Sequence, residues 1–133
     1  MAQKIRITKE FHFETGHALY GYDGLCKNVH GHSYKLAVTV IGSPIEDPTQ
    51  TKNGMVIDFS DLKKIVKEEI VSPFDHATVL NVNSPHKELA EEMMVLDFAN
   101  KIKTRLPEGI SLFALRLRET ETSFAEWHAT DNL

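Results

Sequence analysis

Apolar and polar positions alternate from residue 4 to residue 13. Ile5, Ile7, Phe11 and Phe13 share one side, and Lys4, Arg6, Thr8 and Glu10 the other. A period of two over this length predicts a half-buried strand. The alternation returns over 33–41, with Tyr34, Leu36, Val38 and Val40 facing one way and Ser33, Lys35 and Thr39 the other. This second strand is antiparallel to the first if the two pair directly. Residues 14–32 carry Gly16, Gly21, Gly24 and Gly31 with little periodicity and read as a long loop. Gly42, Pro44, Pro48 and Gly54 mark 42–54 as turn or loop. The period then changes. Met55, Val56 and Ile57 form a short apolar run, after which Asp58 or Ser60 can cap a helix. Phe59, Leu62, Ile65, Val66 and Ile70 follow helical spacing, with Lys63, Lys64, Lys67 and Glu68 on the outer face. Ser72-Pro73 is expected to end this helix, and 74–84 reads as irregular. A second helix is predicted over 86–105, with Leu89, Met93, Leu96, Ala99, Ile102 and Leu106 near one stripe and Pro107 and Gly109 as terminators. Residues 110–118 alternate again, Phe113, Leu115 and Leu117 against Ser111, Arg116 and Arg118, and 123–129 is expected to be a last strand.

The order strand, strand, helix, helix, strand, strand predicts an α+β fold, with helices grouped on one side of a four-stranded antiparallel sheet. A length of 133 residues fits one domain spanning 1–133. Exposed edges on such a sheet leave unpaired backbone groups and invite oligomerisation. Hydrophobic residues at 41% and charged residues at 26% exclude a disordered tail, a collagen-like chain and a coiled-coil rod. No apolar run approaches the roughly 18 residues that would span a membrane. A net charge of −4 without a Lys/Arg block argues against a nucleic-acid surface, while leaving room for a local basic pocket that takes a phosphorylated substrate. The single cysteine, Cys26, excludes an intrachain disulfide. The N-terminus reads as a charged strand and not as a signal peptide, so the cytoplasm is the expected compartment.

Histidine placement carries the chemistry. His17, His30 and His32 lie close together around Cys26. His30 and His32 flank Gly31 and, at a strand entrance, point the same way. The glycine between them permits close approach of the backbone to a ligand. Three neutral imidazoles with an open fourth position is the ligand set of a catalytic zinc. With Cys26 as a fourth ligand, the same cluster would be a closed structural site, and spacing alone leaves both readings open. A cation near Cys26 would lower its thiol pKa and favour the thiolate, the form that acts as nucleophile or base. Asp75-His76 follow a helix end, where an aspartate can orient a histidine as a proton shuttle if the backbone turns there. Glu119 carries the buried-face parity of Phe113, Leu115 and Leu117, and a carboxylate on that face needs a partner, such as a ligand's amine or ring nitrogens. His12, His86 and His128 lack such company and read as surface residues.

Five segments in this order resemble the 6-pyruvoyl-tetrahydropterin synthase and 6-carboxytetrahydropterin synthase family. They are F-E-T-G-H (13–17), C-K-N-V-H-G-H (26–32), G-M-V-I-D-F (54–59), F-D-H-A-T-V-L-N (74–81) and R-E-T (118–120). The resemblance covers nearly the whole chain. It implies the tunnelling fold, in which three subunits close a barrel and two trimers stack into a homohexamer. It implies zinc on His17, His30 and His32, Cys26 as the catalytic thiol, Asp75 and His76 as a proton-relay pair, and Glu119 as the pterin anchor, with neighbouring subunits completing each site. The implied substrate is 7,8-dihydroneopterin triphosphate. The three-residue gap between Cys26 and His30 resembles the short loop of the bacterial 6-carboxytetrahydropterin synthases. That branch releases acetaldehyde and triphosphate on the route to queuosine and other deazapurines. The alternatives are the pyruvoyl activity on the same substrate, or a zinc-binding member with altered catalysis and a different ligand. One departure bears on the choice. The family usually opens its second helix with P-T-x-E-N, and the threonine is absent from N-S-P-H-K-E-L-A (83–90). If Pro85 is the matching proline, His86 takes the place of the threonine and Glu88 keeps the acid.

Overall fold

The computed structural model describes residues 3–17, 30–75, 77–79 and 91–133; the side chains of residues 16, 17, 30, 31, 77–79 and 91 are outside that description. Strand β1 runs Ile5–His17 and strand β2 His30–Gly42. They pair antiparallel without interruption from Ile5↔Gly42 to His17↔His30. Both strands therefore outrun the alternating stretches that predict them. Residues 14–17 and 30–32 belong to the ladder and not to a loop. Gly16 and Gly31 hide the period because a glycine is neither inside nor outside, and they face each other in register.

Strand β3 is Ala77–Val79, helix α3 Glu91–Lys103, strand β4 Ser111–Thr120 and strand β5 Ser123–His128. The sheet order is β3-β1-β2-β4-β5. Strands β1, β2, β4 and β5 form the expected four-stranded antiparallel sheet. β3 adds a short parallel pairing on β1 at Thr15–His17, within a stretch that reads as irregular. A turn closed by Gly109 at φ 86° and an Ile110 N–H to Pro107 carbonyl bond leads from α3 into β4.

Helix α1 covers Phe59–Val66 and continues through a wider π-helical turn, Lys67–Val71, into helix α2, Ser72–Phe74. Ser72-Pro73 thus fails to end the helix. Proline has no N–H, and its ring crowds the carbonyl four residues back. The wider turn before it, in which the Ser72 N–H reaches the Lys67 carbonyl, accommodates the ring without breaking the rod.

The core lies between the helices and one sheet face. Phe11, Phe13, Tyr34, Leu36, Val38 and Val40 from β1 and β2 meet Leu62, Val66, Ile70, Phe74, Phe98 and Ile102 from the helices. Phe98 packs edge-on to Phe74 and Phe13, with ring centroids 5.0 and 6.1 Å away. Five apolar residues depart from the expected stripes, three of them outside α3. Phe59 and Ile5 are 49% and 47% exposed, Phe59 standing with Lys9 Nζ 5.9 Å above its ring. Phe113 lies on the open face of the sheet, under the Arg6 guanidinium at 3.9 Å, while Leu112 is buried. A bulge explains the last case. Thr39 pairs with Ala114 and Val40 with Leu112, so Phe113 is an extra residue that shifts the parity of β4. In α3 the buried face is Met94, Val95, Phe98, Ala99 and Ile102, whereas Met93 and Leu96 are exposed. Among the described residues no helix is long and apolar enough to cross a membrane.

Asp58 caps α1. Its carboxylate accepts the Ser60 N–H at 2.8 Å, with Lys52 Nζ 3.7 Å away. The bond to Ser60 holds Asp58 below the ordinary aspartate range, opposed by desolvation and assisted by Lys52. A carboxyl whose folded pKa is depressed stabilises the fold above its unfolded pKa and loses that contribution as pH falls through the folded value. Asp58→Ala should therefore melt below the parent near neutral pH, and the gap should shrink as pH is lowered from about 5 to about 3. Melting curves at a series of pH values check this; a gap of constant size would show that the ionised cap is not its source.

Candidate functional site

The site forms where β1 and β2 run past the core. Core parity continues outward from Phe11 and Phe13 to positions 15 and 17, and from Leu36 and Tyr34 to positions 32 and 30. Thr15 pairs with His32 and His17 with His30. The backbone thus brings the three histidine positions to one end of one ladder, and to one face by period-two parity. The stacked rings of Phe13 and Tyr34, 5.3 Å between centroids, form the last core layer below them. His32 stands edge-on to Tyr34 at 5.7 Å.

Glu119 arrives from β4. Leu117 pairs with Leu36 and Arg118 with Lys35, so position 119 continues toward the histidine end of β2. Glu119 Oε1 lies 3.0 Å from His32 Nε2, with both side chains largely shielded. Glu119 thus stands half-buried on the side of the sheet that carries His32, as its parity predicts.

Asp75 stands at the end of α2, next to β1. Its Oδ1 accepts the Glu14 N–H at 2.9 Å. The Glu14 carboxylate in turn accepts the Ser33 hydroxyl at 2.7 Å on both oxygens. Beside this pair, the buried Thr15 hydroxyl donates to the Phe74 carbonyl. Sequence patterning passes over these contacts because Glu14, Thr15 and Ser33 fall within an apparent loop or at its margin. The available signal is the parity of Thr15, a polar residue in step with Phe11 and Phe13.

Cys26 and His76 lie outside the described residues, as do the side chains of His17 and His30 and the stretch 83–90 that departs from the family pattern. The structure brings His32, Glu119, Thr15 and Asp75 to one end of the sheet, and the backbone of His17 and His30 to the same end. The opposite face of the sheet carries a separate open groove of about 560 Å³, lined by charged groups including Arg6, Lys35, Arg116, Arg118 and Glu126. There Glu126 is held below the ordinary carboxylate range, first by its 2.9 Å hydrogen bond with His128 and further by Arg116, against a desolvation penalty. His128, expected to be an unaccompanied surface residue, is part of this network.

Residues 6–130 match the family described as 6-pyruvoyl tetrahydropterin synthase. A Haemophilus influenzae protein named 6-carboxy-5,6,7,8-tetrahydropterin synthase is 40% identical over 92% of this chain and 97% of its own length. An orangutan (Pongo abelii) protein named 6-pyruvoyl tetrahydrobiopterin synthase is 32% identical over 89% of this chain and 87% of its own length. Among solved structures, the Caenorhabditis elegans 6-pyruvoyl tetrahydropterin synthase superposes with a TM-score of 0.77 at 22% identity, covering 96% of this chain and 97% of that one. The fold is the same, and the family match spans nearly all of the sequence. This chain belongs to the 6-pyruvoyl tetrahydropterin synthase family.

Proposed function

We propose that this chain is a 6-carboxy-5,6,7,8-tetrahydropterin synthase. It would convert 7,8-dihydroneopterin triphosphate and one water to 6-carboxytetrahydropterin, acetaldehyde and triphosphate. The carrying observation is the ladder register, which sets positions 17 and 30 opposite each other and His32 two pairs inward, beside Glu119. The 40% identical relative, whose name is that of the carboxy enzyme, supports this branch.

The three imidazoles suit zinc. They are neutral nitrogen donors on paired strands that a packed core holds in register, and the set leaves a fourth position for substrate oxygen. When bound, zinc supplies Lewis acidity, which polarises the oxygens of the substrate side chain and acidifies the neighbouring C–H bonds. The chain's own groups do the rest. Glu119 holds the pterin's 2-amino and ring N–H groups through charge-assisted hydrogen bonds. Because it stands beside His32, a pterin gripped there has its side chain next to the metal-binding end. Cys26 takes and returns protons at the side-chain carbons as thiolate and thiol. His76 moves protons with Asp75, whose carboxylate is oriented by the Glu14 N–H.

Assembly follows from the sheet. Among the described residues β1 has no strand partner on its outer edge before Thr15, and β5 has none on its own outer edge. Two open edges at opposite ends of one sheet suit head-to-tail closure of copies into a ring, as the hexamer implied by the family resemblance requires. The reading places the enzyme in the cytoplasm, at a step that feeds deazapurine synthesis. The native mass of the purified protein should be a multiple of three subunits; a monomer would remove the ring.

The decisive assay incubates zinc-loaded protein with 7,8-dihydroneopterin triphosphate and follows acetaldehyde and pterins together. Acetaldehyde appearing in step with 6-carboxytetrahydropterin is the expected result. A pyruvoyl product without acetaldehyde would move the chain to the other branch. Absence of turnover with zinc bound would point to a different ligand. Cys26→Ala should retain its zinc while turnover falls by about 10²- to 10⁴-fold. Loss of zinc in that variant would instead make Cys26 a structural ligand.

A further inference from the structure

Thr15 is the one buried non-aromatic polar residue among the described residues, at 2% exposure. It follows Phe11 and Phe13 on the core side of β1, where an unbonded hydroxyl would be costly. Its bond goes to a main-chain acceptor, the Phe74 carbonyl. The peptide that joins Phe74 to Asp75 is held at its other polar end as well, because the Asp75 N–H donates to the Val71 carbonyl at 2.8 Å. The next residue along β1 repeats the tie, the Glu14 N–H donating to Asp75 Oδ1. Beyond the Asp75–His76 pair the chain returns to β1, Ala77 pairing with Thr15, Thr78 with Gly16 and Val79 with His17. His76 lies outside the described residues, but Asp75 and Ala77 are both fixed to β1, each about 3.8 Å from position 76 in Cα spacing.

We propose that Thr15 is a positioning residue whose hydroxyl sets where Asp75 stands along β1, relative to the His17 position on that strand and His32 across from it. The proposal rests on the reading of Asp75 and His76 as the proton relay. Threonine suits the task because its branched Cβ restricts χ1 and so aims the hydroxyl in advance. Valine would keep the shape and remove the donor. The Phe74 carbonyl would then turn toward another partner, carrying the peptide of Asp75 with it.

The test compares the zinc-loaded full chain with Thr15→Val and Thr15→Ser, reading zinc content, amide exchange at Glu14, and kcat and KM separately. Thr15→Val should keep its zinc and exchange the Glu14 amide faster. Its kcat should fall about ten- to a hundredfold, the scale of a displaced catalytic group, with little change in KM. Thr15→Ser should restore both the slow exchange and most of kcat. Parental exchange and parental kcat in Thr15→Val would overturn the proposal. Loss of zinc together with activity would also overturn it, since Thr15 would then support the metal end and not the relay. If Thr15→Val does not fold, Thr15→Cys, which keeps a small side chain with a much weaker donor, carries the same expectations. If the parent itself turns over no pterin, the functional reading fails, while the exchange comparison still decides whether Thr15 holds the 74–75 segment.

Discussion

The antiparallel pairing of β1 with β2 is the constraint on which both the core and the site depend. The ladder runs unbroken from Ile5↔Gly42 to His17↔His30, and its middle buries Phe11, Phe13, Tyr34 and Leu36. Because side chains alternate with a strict period of two, a slip of one residue would turn those rings toward water. It would also move positions 17, 30 and 32 off their shared face. The hydrophobic energy that specifies the core register therefore specifies the histidine register too. Phe13 and Tyr34 mark the handover, stacked two ladder pairs from Thr15 and His32. Gly16 and Gly31 lie opposite each other between the Thr15↔His32 and His17↔His30 pairs.

The remaining groups come from distant parts of the chain, and each depends on a different packing contact. Glu119 depends on β4 keeping its register with β2, which the bulge at Phe113 resets well before the strand reaches the site. Asp75 depends on the helical rod. Phe74 is buried against Phe13 and Phe98, so the end of α2 is fastened to the same core layer that underlies the histidines. The π-helical turn lets that rod continue through Pro73 to reach this point. Had the helix ended at Ser72, Phe74 would have no fixed place against β1, and neither would Asp75.

Where single residues declare their environment, the fold was legible from pattern alone. The buried parity of Tyr34 through Val40, a cap at Asp58 or Ser60, which falls to Asp58, and the inward parity of Glu119 all follow from local chemistry. Where two segments must meet, local patterning falls short. Gly16 and Gly31 break the alternation and conceal the ends of both strands, yet their pairing across the ladder is what joins the histidine positions. Phe113 reads as inward because the bulge it forms in β4 is defined only against β2 and leaves no signature in the local alternation. Met94 and Phe98, and not Met93 and Leu96, face the core, since an apolar helix with hydrophobic residues on two sides takes its phase from the sheet it packs against. Thr15 was least visible. Its role lies in a carbonyl 59 residues away.

The open face of the sheet makes a final point about assembly. Several of its charges are already matched within one chain: Lys35 with Glu10 at 3.1 Å, and Glu126 with both Arg116 and His128 at 2.7 and 2.9 Å. Arg6 lies over Phe113, and Arg116 and Arg118 lie over Phe124. Closing copies into a ring would draw this face into a narrower, less hydrated space. There an unmatched charge would cost more than at an open surface, while a paired one would bring its neutralising partner with it. Internal pairing would also leave the contacts between copies to backbone hydrogen bonds along β1 and β5, whose geometry every copy shares. A sheet that pairs Lys35 and Arg116 with its own carboxylates on one face and, among the described residues, leaves backbone unpaired on the outer edge of β5 and of β1 before Thr15 would suit closure by repetition, and the histidine end of each ladder would then be presented to the neighbouring copy in the same way at every turn of the ring.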